Sequence, residues 1–156
     1  MAERSGYRGY IGSRPIRGST IPQKVQNLVV RDYAARRDLA YRLSVIEYAM
    51  PGSYMILEDV LAELPRLEGV IFYSLFLLPD DPARRMRVYR RILDAGATLH
   101  AALEDLVLRD DAGIAAFEDI AAVAHALPAT PFAGRYEKSD HPFGADAAPL
   151  LAAFGV

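Results

Sequence analysis

Gly69-Val70-Ile71-Phe72-Tyr73-Ser74-Leu75-Phe76-Leu77-Leu78 is a nearly continuous apolar run near the middle of a chain of 156 residues. It falls far short of the ~20 residues a membrane-spanning helix needs. It is also too unbroken for a strand with one wet face. An apolar segment of this length reads as a central parallel strand covered on both sides, spanning Gly69 to Leu78.

The flanking segments fit that reading. Upstream, Tyr7–Ser13 (YRGYIGS) is predicted as a first strand and Tyr41–Tyr48 (YRLSVIEY), which alternates, as a second. Between them Thr20-Ile21-Pro22-Gln23 resembles a capping box, opening a helix to about Arg37 with Val25, Leu28, Val29 and Tyr33 on its buried face. Pro51-Gly52 breaks the second strand, and Ser53 caps a helix running through Leu64. Downstream, Asp81 and Pro82 open a helix that ends at Gly96; it buries Met86, Val88, Tyr89, Ile92 and Leu93. Ala97–Leu103 is a fourth strand, and Asp110 or Asp111 opens a last helix carrying Ile114, Phe117, Ile120, Ala124 and Leu127. Strands alternating with helices over short connections predict a three-layer α/β domain, a mostly parallel sheet with helices on both faces. That domain covers residues 1–127; residues 128–156, rich in Pro, Gly and Ala, read as an irregular tail packing on the domain or on a partner.

Composition narrows the function. Hydrophobic residues make up 52% and charged residues 24%, with a net charge of −2, so no overall field favours nucleic acid or an acidic membrane surface. The absence of cysteine removes disulfides, thiolate nucleophiles and cysteine-ligated metals. The N-terminus lacks an apolar stretch of signal-peptide length, which leads to the expectation of a cytoplasmic protein. The three histidines are widely spaced, and there is no Gly-x-Gly-x-x-Gly, P-loop or Gly-x-Ser-x-Gly pattern. Neither a metal nor a cofactor is expected. The arginine run Arg84, Arg85, Arg87, Arg90 and Arg91 reads as a solvated helix face, offset by Asp80, Asp81 and Asp94.

Ligands of open α/β sheets bind beyond the carboxyl ends of the strands. Ser13, Arg14, Arg17 and Ser19 follow the first strand; Glu47 and Tyr48 end the second; Tyr73 and Ser74 lie in the third; His100, Glu104 and Asp105 lie on or after the fourth. Arg14, with Arg17, suits an anionic group such as phosphate or carboxylate. Glu47 closes an apolar strand, where it either pairs with one of these arginines or serves as a general base. His100 is either a hydrogen-bonded core imidazole or a proton carrier. Glu104 joins these two as a candidate catalytic group that either accepts a proton or binds a sugar hydroxyl. Ser13, Tyr73 and Ser74 offer hydroxyls, whose alternative is to satisfy neighbouring backbone, and Tyr48 completes the substrate-binding set. His141, in the tail, is a weaker candidate.

Two resemblances add to this. Tyr10-Ile11-Gly12-Ser13, Glu47-Tyr48-Ala49-Met50-Pro51-Gly52 and Asp94-Ala95-Gly96-Ala97-Thr98-Leu99 resemble the opening strand, acidic turn and helix-to-strand junction of serine resolvase catalytic domains, over roughly residues 7 to 127. This layout implies a resolvase-like or flavodoxin-like order of elements. The arginine and the Leu-Asp-Arg-Leu-x-Arg segment of that family are missing, since Gly12 and the segment Ser74–Pro79 stand in their place. With the charge that stabilises phosphoryl transfer gone, recombination is not expected. The closer resemblance is to a small family of sporadic carbohydrate biosynthesis gene clusters. It is carried by Gly9-Tyr10-Ile11-Gly12-Ser13-Arg14-Pro15, Pro22-Gln23-Lys24-Val25-Gln26-Asn27-Leu28, Glu47-Tyr48-Ala49-Met50-Pro51-Gly52 and Ala97-Thr98-Leu99-His100-Ala101-Ala102-Leu103-Glu104-Asp105. It implies a pathway and not a reaction.

The resulting expectation is a cofactor-independent enzyme acting on a phosphorylated, acidic or nucleotide-linked sugar by isomerisation, epimerisation or elimination. In it Arg14 and Arg17 hold the anion, Glu47 and His100 move protons, and Ser13, Tyr73 and Glu104 bind hydroxyls. The alternatives are a non-catalytic sugar-binding or scaffolding protein of the same pathway and, more weakly, a DNA-binding regulator. No nucleic-acid or membrane partner is expected. A homodimer is, because the apolar third strand and the tail residues Leu150, Leu151 and Phe154 leave surface for a monomer to cover.

Overall fold

A computed structural model of the chain describes residues 3–127. The expected tail, with His141, Leu150, Leu151 and Phe154, lies outside the described residues. Five strands, β1 (Tyr7–Gly12), β2 (Tyr41–Glu47), β3 (Gly69–Phe72), β4 (Thr98–Ala101) and β5 (Leu106–Leu108), form one sheet in the order β2-β1-β3-β4-β5. All neighbours are parallel except β5, which runs antiparallel to β4. The helices are α1 (Gln23–Arg36), α2 (Met55–Glu63), α3 (Pro82–Asp94) and α4 (Asp111–Ala126). Helix α1 covers one face, where Tyr33 reaches His100. Helices α2, α3 and α4 cover the other: Arg91 of α3 pairs with Glu58 of α2, and Tyr89 of α3 packs edge-on to Phe117 of α4. The α/β layout read from the sequence is the layout of the structure. No described helix is long and apolar enough to cross a membrane.

The order reverses between β1 and β3, since α1 leads left to β2 while α2 crosses back to β3. Such a switch point opens a crevice at the carboxyl edge of the sheet. The loops after β1 and β3 border it.

Several elements depart from expectation for local reasons. The third strand stops at Phe72, not Leu78, because Ser74 Oγ accepts the Phe76 N–H (3.1 Å) and starts a turn of 3-10 helix over Leu75–Leu77. The fourth strand ends at Ala101, and the chain doubles back through Asp105 (φ +56°) into β5, a strand too short to stand out in the sequence. Thr20 does not cap α1; the helix begins at Gln23 without a side-chain cap. Its buried face is Gln26, Val30, Tyr33 and Ala34, while Val25 and Leu28 face outward. Gln26 is drawn inward by hydrogen bonds with the N–H of Gly12 (3.1 Å) and the carbonyls of Gly12 (2.7 Å) and Ile21 (2.9 Å). Ser53 likewise makes no cap for α2. On α3 the arginine run is not uniformly solvated: Arg85 is buried, and Met86 is exposed in its place.

Candidate functional site

Glu47 is fully buried at the end of β2. Its Oε2 accepts from the Tyr10 hydroxyl (2.8 Å) and the Leu57 N–H (2.8 Å), and its Oε1 accepts from the N–H groups of Tyr48 (3.1 Å) and Ile56 (3.3 Å). The carboxylate thus caps the start of α2, where unpaired N–H groups and the helix dipole both favour a negative charge. Burial, with Glu47 alongside, pushes the Tyr10 phenol far up, so it stays a donor. Neither Arg14 nor Arg17 pairs with Glu47; the partner the sequence reading sought among arginines is a helix N-terminus.

His100 lies within β4 and is 2% exposed. Nδ1 meets the Tyr33 hydroxyl at 2.8 Å and Nε2 meets Thr98 Oγ1 at 3.0 Å. The rings of Tyr7 and Tyr33 pack edge-on against it. Burial, reinforced by the positive charges of Arg109 and Arg37, lowers its pKa to about 4, so the ring is neutral near pH 7.

Glu104, in the β4–β5 turn, accepts from Ser74 Oγ (2.5 Å) and the Leu75 N–H (3.1 Å), tying two loops together. Tyr73 is buried beside it, its phenol pushed up by burial and then by Glu104. Ser13 donates from both N–H (3.2 Å) and Oγ (3.0 Å) to the Glu47 carbonyl. Asp105 pairs with Arg37, and the Tyr48 ring stands exposed. These groups sit at or near the carboxyl edge, yet most of their polar atoms are engaged by one another or by backbone.

A cleft of about 290 Å3 does open at the switch point. Arg14, Pro15 and Arg17 from the β1–α1 loop form one side, with Tyr54 beside them; Leu75, Phe76, Leu78, Pro79 and Asp80 form the floor. Arg85 of α3 and Ala121, Ala124 and His125 of α4 close it. Of the residues singled out in the sequence, Arg14 and Arg17 line this cleft, whereas Glu47, His100, Glu104, Ser13, Tyr48, Tyr73 and Ser74 do not.

Arg14 is half-buried, with its guanidinium carbon 4.2 Å from the centre of the Tyr54 ring and Nη2 donating to the Leu77 carbonyl (3.1 Å). Its Nε is buried and has no partner among the described residues. A buried, unsatisfied N–H costs about 1–3 kcal/mol, and more when it belongs to a charged group. Arg17, exposed and left-handed at φ +50°, places its guanidinium carbon 5.4 Å from the centre of the Phe76 ring. Arg84 approaches Tyr54 at 4.9 Å and donates to the Gly52 carbonyl (3.2 Å). It lines the depressions beyond Tyr54, so that ring is the shared wall.

Sequence reading missed Tyr54, Asp80, Arg85 and His125. Arg85 had a signal: 85, 88, 89 and 92 follow helical spacing on the buried stripe of α3. Its Nε and Nη2 bond the Glu118 carboxylate (2.9 and 3.1 Å), and Nη1 donates to the carbonyls of Pro79 (3.2 Å) and Asp80 (2.7 Å). Arg85 therefore holds the cleft floor to α4 with its charge neutralised. For Tyr54, Asp80 and His125 no local pattern points to a site; the fold alone assembles them. Among the described residues no three acidic or histidine side chains come together to hold a metal ion. No protein-family model and no curated protein matches the sequence.

Proposed function

We propose that this protein binds an acidic or phosphorylated sugar intermediate of carbohydrate biosynthesis, with the anionic group held by Arg14 at the switch-point cleft. The observation that carries the reading is the buried Nε of Arg14, beside the Tyr54 ring and without a hydrogen-bond partner among the described residues. An oxyanion is the acceptor such a group lacks, and Arg is suited to planar, two-point recognition of phosphate or carboxylate. The carbohydrate class rests on the sequence resemblance. Binding is favoured over acid–base catalysis by Glu47 and His100, because their proton-accepting atoms are already engaged inside the fold. A catalytic version of the proposal moves to Asp80 and His125, the carboxylate and imidazole that line the cleft.

The proposal includes a cytoplasmic homodimer that engages no nucleic acid. Support for assembly comes from the exposed apolar residues Leu43 and Ile46 on the edge strand β2, with Val25 and Leu28 on the neighbouring α1.

The test is a thermal-shift and calorimetric screen of the full chain with glucose 6-phosphate and glucuronate, wild type beside Arg14→Gln. Binding to the wild type with loss in the variant supports the reading. Binding that Arg14→Gln leaves intact overturns it.

A further inference from the structure

The turn after β1 is built in a way that its own stability does not explain. Ile16 and Ser19 exchange both backbone hydrogen bonds, 2.8 Å from the Ile16 N–H and 3.0 Å from the Ser19 N–H. The two residues between them are both left-handed, Arg17 at φ +50° and Gly18 at φ +81°. This is a type I′ turn, whose first central position favours Asn, Asp or Gly. A Cβ on Gly18 would meet nothing within 4 Å, so that glycine serves conformation and not space. Arg17 is the strained member, and it is the one whose side chain lines the cleft, over Phe76. Backbone strain retained at a residue whose side chain lines a cleft points to a use for that side chain.

The size and charge of the cleft say what it takes. At about 290 Å3 it falls just under the ~300–1,000 Å3 span of small-molecule sites. Tyr54 walls it off from the depressions that carry Arg84 and Arg87. Arg85 is neutralised by Glu118, which leaves Arg14 and Arg17 against Asp80.

We propose that Arg17, held out by its strained turn, is the second jaw of an anion clamp with Arg14. The ligand is a single-ring sugar with one compact anionic group, and not a nucleotide-linked sugar. This inference rests on the binding reading above, and its test separates the two.

The full chain is titrated calorimetrically with glucose 6-phosphate, glucuronate and UDP-glucose, using wild type, Arg14→Gln and Arg17→Asn, and each melting temperature is measured. Arg17→Asn puts the preferred Asn-Gly pair into the turn, so its melting temperature should rise by about 2 °C. Its affinity for whichever single-ring anion binds should fall about tenfold, the loss of one charge-assisted hydrogen bond. UDP-glucose should bind more weakly than that anion. A stabilised Arg17→Asn that binds undiminished, while Arg14→Gln does not bind, overturns the clamp and leaves the reading standing. UDP-glucose binding at least as tightly as the single-ring anions, with Arg14 dependence, overturns the size assignment alone. Failure of all three probes to bind in an Arg14-dependent way overturns the inference and the reading together.

Discussion

His100 and Glu47 lie on opposite faces of the sheet. His100 is in register with Ile71, and Ile71 with Gly9, whereas Glu47 is in register with Gly12 and bonds Tyr10. Successive residues of a strand point to opposite sides, so Gly9 belongs to the face under α1 and Tyr10 and Gly12 to the face under α2. Each side chain then serves its own helix: His100 bonds Tyr33 of α1, and Glu47 bonds the first N–H groups of α2. Two residues that strand order alone would bring to one pocket are separated by the thickness of the sheet.

Glu47→Gln should therefore act on the fold. The amide keeps one acceptor oxygen but loses the charge at the helix start and sets an NH2 group against backbone donors. The expected loss is about 2 kcal/mol, read as a melting temperature lower by several degrees. An unchanged melting temperature would contradict the capping role.

His100 predicts a pH dependence of stability. In the unfolded chain the imidazole takes a proton near its ordinary value of 6.5, whereas in the fold it does so only at about 4. Between those values the unfolded state holds more protons, so stability is full above pH 6.5 and declines as pH falls towards 4. The decline attributable to this group is on the order of 3 kcal/mol. Melting curves from pH 7 to 4 should show a smaller decline for His100→Gln than for the wild type. Equal slopes would remove the assignment.

The Arg85–Glu118 pair ties α3 to α4 with both nitrogen–oxygen contacts and the Tyr89 hydroxyl (3.0 Å to the same carboxylate). Removing one partner strands the other, so Arg85→Met or Glu118→Leu should each cost about 3 kcal/mol. The double variant should lose clearly less than the sum of the two. Additive losses in urea unfolding would show that the pair is not coupled.

Assembly through the β2 edge is testable at Leu43, 79% exposed on the edge strand of the sheet. The wild type should sediment as a dimer and Leu43→Arg should shift towards monomer, since a charge on an edge strand opposes pairing. A wild-type monomer whose sedimentation does not change with concentration would overturn the dimer.

Much of this fold was legible locally. The nearly continuous apolar run beginning at Gly69 marked the central strand, and Asp81-Pro82 marked the start of α3, where Asp81 does accept from the Ala83 N–H (3.3 Å). These signals live in neighbouring residues and need no distant partner. Local reading failed where a distant group competed for the backbone. Ser74 turned the third strand into 3-10 helix with Glu104 behind it, and Glu47 took the capping duty expected of Ser53.

The sequence by itself determined that strands alternate with helices, that the sheet is mostly parallel, and that Arg14 and Arg17 sit beyond its carboxyl edge, because periodicity and turn chemistry act over a few residues. Only the tertiary structure decided which polar groups are consumed. Burial of Glu47 and His100 required hydrogen-bond partners, and these came from β1, the adjacent Tyr48, α2, α1 and β4, across 1 to 67 positions of sequence. The Arg14 Nε, with no such partner among the described residues, is left beside Tyr54 at a cleft whose walls come from five separate segments of the chain. No local pattern encodes that meeting, since it depends on where the strand order reverses and on which face each side chain takes.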